Sequence, residues 1–247
     1  RAAEPSLRGA RGILPGHGDG TFVSPPITQS VVVGEDTIAG ATFGPDNRAD
    51  VVITGHSVHG FWIGQTQSDG SLTISSLHAS ASNWVTVGDV NNDGVSDVLT
   101  ADASGDLAVY LGTGLGGVSA PVSYPTHGFH GTLQLGDVDG DSFLDAVMFS
   151  TYPELSIMVM RGLGNGAFGP PLVTPALAIP ANTQTEDVHL ADFTGDGALD
   201  LAVSTDRGFA IVGGFGDGYF RQHASFYGLA WYTTDSTTPS VVVSDRN

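Results

Sequence analysis

Three short acidic stretches carry the residues best suited to bind a metal ion. They start at Asp89, Asp137 and Asp192 and share the nine-residue pattern Asp-x-[Asp/Asn/Thr]-x-Asp-[Gly/Ser]-x-x-Asp. Oxygen atoms at positions 1, 3, 5 and 9, together with the backbone carbonyl of position 7, can converge on one point. A shell made only of oxygen atoms suits Ca²⁺, whereas Mg²⁺ demands a stricter octahedron. Glycine at position 6 permits the sharp bend that this convergence needs.

The predicted ligands form one set for each stretch. The sets are Asp89, Asn91, Asp93, the Val95 carbonyl and Asp97; Asp137, Asp139, Asp141, the Phe143 carbonyl and Asp145; and Asp192, Thr194, Asp196, the Ala198 carbonyl and Asp200. The competing interpretation is a series of ordinary turns, which Asp, Asn and Gly also favour. Three copies in one frame, each followed by an apolar stretch, instead predict about three bound Ca²⁺ ions.

Two eroded copies of the pattern flank these three. In the copy at 41–53, Thr42 and Gly44 stand where ligands belong, and in the copy at 230–242 Trp231 replaces the first aspartate. We expect neither eroded copy to bind an ion. The five copies return about every fifty residues, which is close to the period of propeller blades.

A glycine-rich turn recurs between the acidic stretches. Its copies are Gly16–Phe22, Gly112–Val118, Gly162–Phe168 and Gly214–Phe220, with a looser copy at Gly64–Leu72. Each copy lies between two short apolar runs, as expected for a hairpin turn whose backbone needs positive φ. Each unit therefore predicts four strands, A to D, in which the acidic loop joins A to B and the glycine turn joins C to D. No stretch shows helical periodicity over three turns.

This pattern predicts an all-β chain that forms a single β-propeller domain over residues 1–247. The chain begins on a strand C and ends on a strand B, so its two ends can together complete one blade and close the ring. The count is then five four-stranded blades, at about 229–247 with 7–33, 36–80, 82–127, 130–181 and 184–226. The alternative is a fragment of a larger propeller.

The combination of acidic loop and Gly-x-Gly-x-x-Phe turn resembles the FG-GAP repeat, also described as the VCBS or integrin-α-like repeat. The resemblance covers nearly the whole chain. It implies a β-propeller with Ca²⁺ in the A–B loops, an extracellular setting, and adhesion or ligand binding on the face away from those loops. Integrin-type propellers and related lectins usually have seven blades, whereas five are counted here. The sugar-binding residues of those lectins have no match in this chain.

The composition restricts the partners and the chemistry. A net charge of −18 repels nucleic acid and anionic membranes and attracts cations. No apolar run approaches the length of a membrane span, so we expect no membrane insertion. Cysteine is absent, so disulfides cannot stabilise the fold. Without a Gly-x-Ser-x-Gly motif, a cysteine or a lysine, we expect a non-enzymatic protein. The family resemblance implies that it is secreted or held at the cell surface, with the periplasm as an alternative.

The B–C and D–A loops, which emerge opposite the acidic stretches, contain or adjoin the candidate ligand-binding residues. These are His56, His59, Trp62, Trp84, His127, Phe129, His130 and Tyr152. Aromatic rings with polar neighbours can form a platform for a saccharide or a peptide, or they can cap the inner blade surfaces. The two His-x-x-His pairs could hold Zn²⁺ or Cu²⁺, or they are ordinary polar loop residues.

These features together favour a calcium-stabilised recognition or adhesion module that binds a glycan or a protein. A structural subunit of a larger extracellular assembly is the first alternative, and it predicts stable co-purification with other chains. A carbohydrate-active enzyme such as a polysaccharide lyase is the second, and it predicts turnover of an acidic polymer.

Overall fold

The chain folds as β-strands joined by loops and tight turns. The computed structural model describes residues 8–13, 21, 27–32, 38–46, 48–55, 58–79, 84–101, 106–126, 129, 132–150, 155–177, 185–205 and 208–221. Among these residues there is no helix, and therefore none with the length and apolar character to cross a bilayer.

Nineteen strands follow one another along this part of the chain. They are β1 (Arg8–Ile13), β2 (Ile27–Val32), β3 (Ile38–Ala41), β4 (Asp50–Gly55), β5 (Val58–Thr66), β6 (Leu72–Ile74), β7 (His78–Ala79), β8 (Trp84–Gly88), β9 (Asp97–Ala101), β10 (Leu107–Tyr110), β11 (Val122–Tyr124), β12 (Thr132–Gly136), β13 (Asp145–Ser150), β14 (Leu155–Met160), β15 (Leu172–Leu177), β16 (Thr185–Ala191), β17 (Asp200–Thr205), β18 (Gly208–Gly214) and β19 (Phe220–Arg221).

The strands form four antiparallel sheets that we number as blades. Blade one contains β3 to β6 with β7 added beside β5, blade two β8 to β11, blade three β12 to β15, and blade four β16 to β19. Each strand on this path pairs with the next strand of the chain. The first strands of successive blades, β3, β8, β12 and β16, lie beside one another, so they form the inside of the array. The prediction of an all-β fold built from four-stranded units is confirmed.

The blades pack face to face through alternating side chains. In β13, Ala146 and Met148 contact the apolar cluster shared with blade two, whereas Val147 and Phe149 contact the cluster shared with blade four. This alternation follows from the two-residue period of a strand, which sends successive side chains to opposite faces of the sheet. Met148 is 0% exposed, and burying such a side chain stabilises the fold by about 2 kcal/mol.

Blade one uses the same rule, and this determines where Trp62 lies. Phe61 and Ile63 are both 0% exposed and belong to the cluster shared with blade two. Trp62, between them in β5, packs instead against Ile53 on the other face of blade one. That face is the one that a blade preceding blade one would cover.

The described residues contain four complete blades, not the five predicted, and they do not show ring closure. The N-terminal part of the predicted fifth blade is present as a hairpin, in which β1 pairs antiparallel with β2 from Arg8 opposite Val32 to Ile13 opposite Ile27. The C-terminal part, residues 229–247, lies outside the described residues.

In blades two, three and four, the first glycine of the C–D turn lies against the backbone of the A–B loop. A Cβ atom on Gly162 would overlap the carbonyl oxygen of Leu144, at position 8 of the acidic loop of the same blade. Gly112 and Gly214 have the equivalent contact. In blade one this place is taken by Thr66 rather than by the predicted Gly64, and the Thr66 hydroxyl donates a hydrogen bond to the Ala49 carbonyl at 2.6 Å.

Replacing Gly162 with alanine tests this close approach. We expect Gly162→Ala to lower the free energy of unfolding by about 3 kcal/mol, because the backbone carbonyl of Leu144 cannot move away cheaply. The matched control is Gly40→Ala in β3, where an added Cβ meets no atom within 4 Å. Urea unfolding of both variants measures the difference, and an equal stability of the two would contradict the close approach.

Candidate functional site

Position 9 is the buried anchor of each acidic loop. Asp97, Asp145 and Asp200 are each 0% exposed. One carboxylate oxygen of Asp97 accepts a hydrogen bond from Val90 N–H at 2.8 Å, inside the loop. The other oxygen accepts one from Gly112 N–H at 2.7 Å, in the C–D turn. Asp145 accepts the equivalent hydrogen bonds from the N–H groups of Val138 (2.9 Å) and Gly162 (2.8 Å). Asp200 accepts them from the N–H groups of Phe193, Thr194 and Gly214 (2.9 Å each).

Asp50 has the same role in the eroded loop where we expect no ion. It is 3% exposed and accepts hydrogen bonds from Phe43 N–H at 3.0 Å and from Thr66 N–H at 2.9 Å. The position 9 aspartate therefore joins the A–B loop to the C–D turn in all four blades, with or without the other acidic residues. The loop pattern predicts this position only as a metal ligand and not as a structural link, although the retention of Asp50 in an eroded copy is a signal of that role.

Position 1 closes the loop onto itself. The carboxylate of Asp137 accepts hydrogen bonds from the backbone N–H groups of Gly140 (2.7 Å), Asp141 (3.1 Å) and Ser142 (2.9 Å). Asp89 and Asp192 accept the equivalent bonds in their own loops. In the third loop the pKa of Asp192 is lowered, mainly by the N–H of Gly197. Position 1 thus gathers the backbone N–H groups of its own loop around one carboxylate.

The predicted bend at position 6 is present in all three loops. Gly94 and Gly197 have φ of 83° and 88°, and Ser142 has φ of 71°. Left-handed backbone is unfavourable for a residue with a Cβ by about 1 kcal/mol. The loop at 137–145 has such a residue at position 6, Ser142, and the loop at 89–97 has one at position 4, Asn92, with φ of 58°. The bend therefore follows from the loop pattern even where glycine is missing.

Positions 5 and 7 are joined within each loop. The carboxylates of position 5 accept hydrogen bonds from the N–H of position 7: Val95 to Asp93 at 2.8 Å, Phe143 to Asp141 at 2.8 Å, and Ala198 to Asp196 at 2.9 Å. The ring of Phe143 also fills the space beside Gly164, the second glycine of its C–D turn. Position 7, predicted only as a source of a carbonyl ligand, therefore also packs the loop against the turn.

The loop at 137–145 brings three carboxylates close enough to share a cation. Asp137, Asp139 and Asp145 each place an oxygen within 4.8 Å of the other two. The pKa of Asp145 is raised to about 6, chiefly by burial and also by the charges of Asp139 and Asp141, against the two backbone N–H groups that lower it. A cation would relieve this repulsion, and a donor set made only of oxygen atoms fits a hard divalent ion.

The other two loops have the same backbone but fewer charges. Position 3 is Asn91 in one and Thr194 in the other, so each loop carries three carboxylates. Burial, and then the charges of Asp93 and Asp89, raise the pKa of Asp97 above its ordinary value against its backbone hydrogen bonds. The loop at 89–97 therefore has the same kind of repulsion around its buried aspartate, with one carboxylate fewer.

The candidate residues of the opposite face are only partly described. His56, His127, His130 and Tyr152 lie outside the described residues, and His59 and Trp84 are placed by backbone alone, within β5 and at the start of β8. Trp62 lies in mid-strand against Ile53, and Phe129 is partly buried against the cluster between blades two and three. Their ligand-binding role stays a prediction. For Trp62 and Phe129, packing between or over blades explains the contacts that are described.

A family model for the FG-GAP-like repeat matches the sequence twice, over residues 89–148 and 137–203. Residues 89–203 thus belong to the FG-GAP-like repeat family. A comparison with curated proteins finds no matching sequence.

Among solved structures, the chain is similar to an Agrocybe aegerita lectin described for specific recognition of non-reducing terminal N-acetylglucosamine. The identity is 17%, the TM-score is 0.55, and the match covers 79% of this chain and 56% of the lectin chain. The likeness is to a β-propeller and shows the fold alone. The chain spans little more than half the length of that lectin.

The structural role of position 9 can be tested where no ion is expected. We expect Asp50→Ala to lower the free energy of unfolding by about 3 kcal/mol, because it leaves the Phe43 and Thr66 N–H groups without their acceptor. The control is Asp69→Ala, which removes an exposed aspartate that also accepts two hydrogen bonds, both from Ser71. Chemical denaturation in EDTA compares the two, and equal losses would show that Asp50 is not an anchor.

Proposed function

We propose that this FG-GAP repeat chain is an extracellular, calcium-stabilised recognition module that binds a glycan or a protein through the face opposite its acidic loops. The observation that carries the proposal is the difference between the two faces. The A–B loops and C–D turns repeat one pattern and are bonded to each other in each of the four described blades. The B–C and D–A loops share no pattern, so they are free to differ in shape and chemistry, as specific recognition requires.

The calcium part of the proposal is supported by the loops themselves. Three loops present inward carboxylates on one backbone, and in one of them three carboxylates lie within 4.8 Å of one another. A chain with a net charge of −18 gains by neutralising such clusters. Ca²⁺ is the divalent ion that best accepts a shell of carboxylate and carbonyl oxygens in a flexible loop.

The proposal includes a ring of five blades, which is supported by a repeated bond between neighbouring blades. The third glycine of each C–D turn donates its N–H to the position 2 carbonyl of the preceding blade. These bonds are Gly116 to Phe43 (2.9 Å), Gly166 to Val90 (3.1 Å) and Gly218 to Val138 (2.9 Å). The next acceptor in this series is the Phe193 carbonyl of blade four. By sequence, the matching donor is Gly20, which lies outside the described residues.

The choice of a glycan or protein ligand is supported by the residues of the opposite face and by the fold. Histidines and aromatics at positions 127, 130 and 152 can combine hydrogen bonding with stacking against sugar rings or peptide groups. The fold is one that a sugar-binding lectin also uses. The ligand class is therefore a saccharide or a peptide surface rather than a nucleic acid, which the acidic charge repels.

Removal of calcium tests the stabilising role of the loops. We expect EDTA to lower Tm by more than about 2 °C, because a ligand that binds the folded state alone stabilises it by mass action. Restoring Ca²⁺ should recover Tm, and equal Mg²⁺ should recover less. Differential scanning calorimetry in each buffer measures the shift, and a Tm that ignores all three additions would exclude calcium stabilisation.

A glycan array, run in millimolar Ca²⁺ and again in EDTA, tests the recognition role. We expect calcium-dependent binding to a defined class of glycan. This binding should be lost in two variants, the double substitution His127→Ala/His130→Ala and the single substitution Tyr152→Ala. The matched control is Leu115→Ala, which removes an 84% exposed side chain from the acidic-loop face and should leave binding unchanged.

The protein-binding form of the proposal is supported if folded protein gives a blank array but captures one partner protein, and if the same three substitutions abolish that capture. Loss of binding in Leu115→Ala but not in the opposite-face variants would overturn the choice of face. Turnover of an acidic polysaccharide would favour a carbohydrate-active enzyme. Co-purifying chains that stay bound to the opposite-face variants would favour a structural subunit of a larger assembly.

A further inference from the structure

Arg161 connects the second acidic loop to the next blade. It is the last residue before the glycine turn of blade three. Its Nε atom lies 3.1 Å from Oδ2 of Asp139, and its side chain also donates a hydrogen bond to the backbone carbonyl of Asp217 at 2.6 Å. The Asp139 side chain is 10% exposed, so most of its surface is shielded from water. One guanidinium therefore contacts position 3 of its own loop and the C–D turn of blade four.

The residues equivalent to Arg161 in blades one and two show which part of its role is packing and which part depends on its charge. Gln65 in blade one and Leu111 in blade two each fill the space beside the third glycine of the following blade, Gly116 and Gly166. Arg161 fills the space beside Gly218 in the same way. Contact between blades at this place thus needs only a side chain of suitable length, and the positive charge is particular to blade three.

Blade three is also the blade in which position 3 of the acidic loop carries a charge. Asp139 stands where the other two loops have Asn91 and Thr194. The second loop therefore holds four carboxylates, and the other two hold three each. With the charge of Arg161 included, the second loop has the same net charge as its neighbours. Among the described blades, the one with the extra carboxylate, Asp139, is therefore also the one with an arginine before its glycine turn, Arg161.

We infer that Arg161 is a built-in counter-ion for Asp139, which holds the second loop against blade four without a metal and lowers the affinity of that loop for Ca²⁺. The inference rests on the proposed calcium role and makes the second loop the weaker, more readily emptied site despite its greater number of carboxylates. Asp139 can serve as a ligand only by giving up its ion pair with Arg161, so a cation at this loop must compete with that pair for the carboxylate.

The test compares Arg161→Leu with Asp139→Asn, singly and together. Each substitution introduces a residue that another blade already uses at the equivalent place, Leu111 and Asn91 respectively, so the contact beside Gly218 is retained. Asp93→Asn and Asp196→Asn are included throughout to weaken the other two loops. Calcium affinity is measured by titration calorimetry at low ionic strength, and Tm is measured in EDTA.

We expect Arg161→Leu to tighten Ca²⁺ binding by about tenfold and to lower Tm in EDTA by about 2 °C. Both changes should shrink when Asp139 is already asparagine, because the charge that Arg161 opposes is then gone. An affinity that stays the same or falls, or an equal change in the Asp139→Asn background, would overturn the inference while leaving the calcium role intact. If none of the variants binds Ca²⁺, the calcium role and the inference both fail.

Discussion

The structure depends on one buried carboxylate in each of the four described blades. An aspartate at the start of the second strand places one oxygen on an N–H of the A–B loop and the other on the first N–H of the C–D turn. Loop and turn belong to different parts of the blade, and no backbone ladder joins them. Aspartate is short enough to stay within the sheet edge and has two acceptor oxygens, so a single side chain satisfies both segments. The hydrogen bonds offset the cost of burying a charge.

This constraint explains why the two faces of the array differ. Once loop and turn are joined, the third glycine of the turn reaches the loop of the preceding blade, and the blade-to-blade bonds repeat in register. The face with the acidic loops therefore holds neighbouring blades together. It also carries the clusters of carboxylates that a cation would neutralise. The B–C and D–A loops of the opposite face share no sequence pattern, so the repeat does not fix their residues. The proposed recognition surface is placed there for that reason.

The sequence was sufficient to predict the strands, the loops and their shared conformation, because each follows from a local pattern. Ser142 adopts the left-handed bend that glycine adopts elsewhere, so the pattern as a whole determines the bend. The sequence was insufficient where a role depends on a partner far along the chain. The register of β4 against β5 puts Thr66, and not Gly64, at the place of the first glycine. The same kind of long-range placement puts Trp62 between apolar neighbours and Arg161 beside Asp139.

The most direct test of the account is hydrogen exchange of the four backbone amides that donate hydrogen bonds from the C–D turns to the buried aspartates. These are the amides of Thr66, Gly112, Gly162 and Gly214. NMR detection in EDTA would follow each amide without any contribution from a bound ion. The account predicts protection comparable to that of core strand amides such as Leu99, because breaking these bonds requires opening the blade. Exchange as fast as that of Leu115, in the exposed part of the same turn, would contradict the central role of the buried carboxylate.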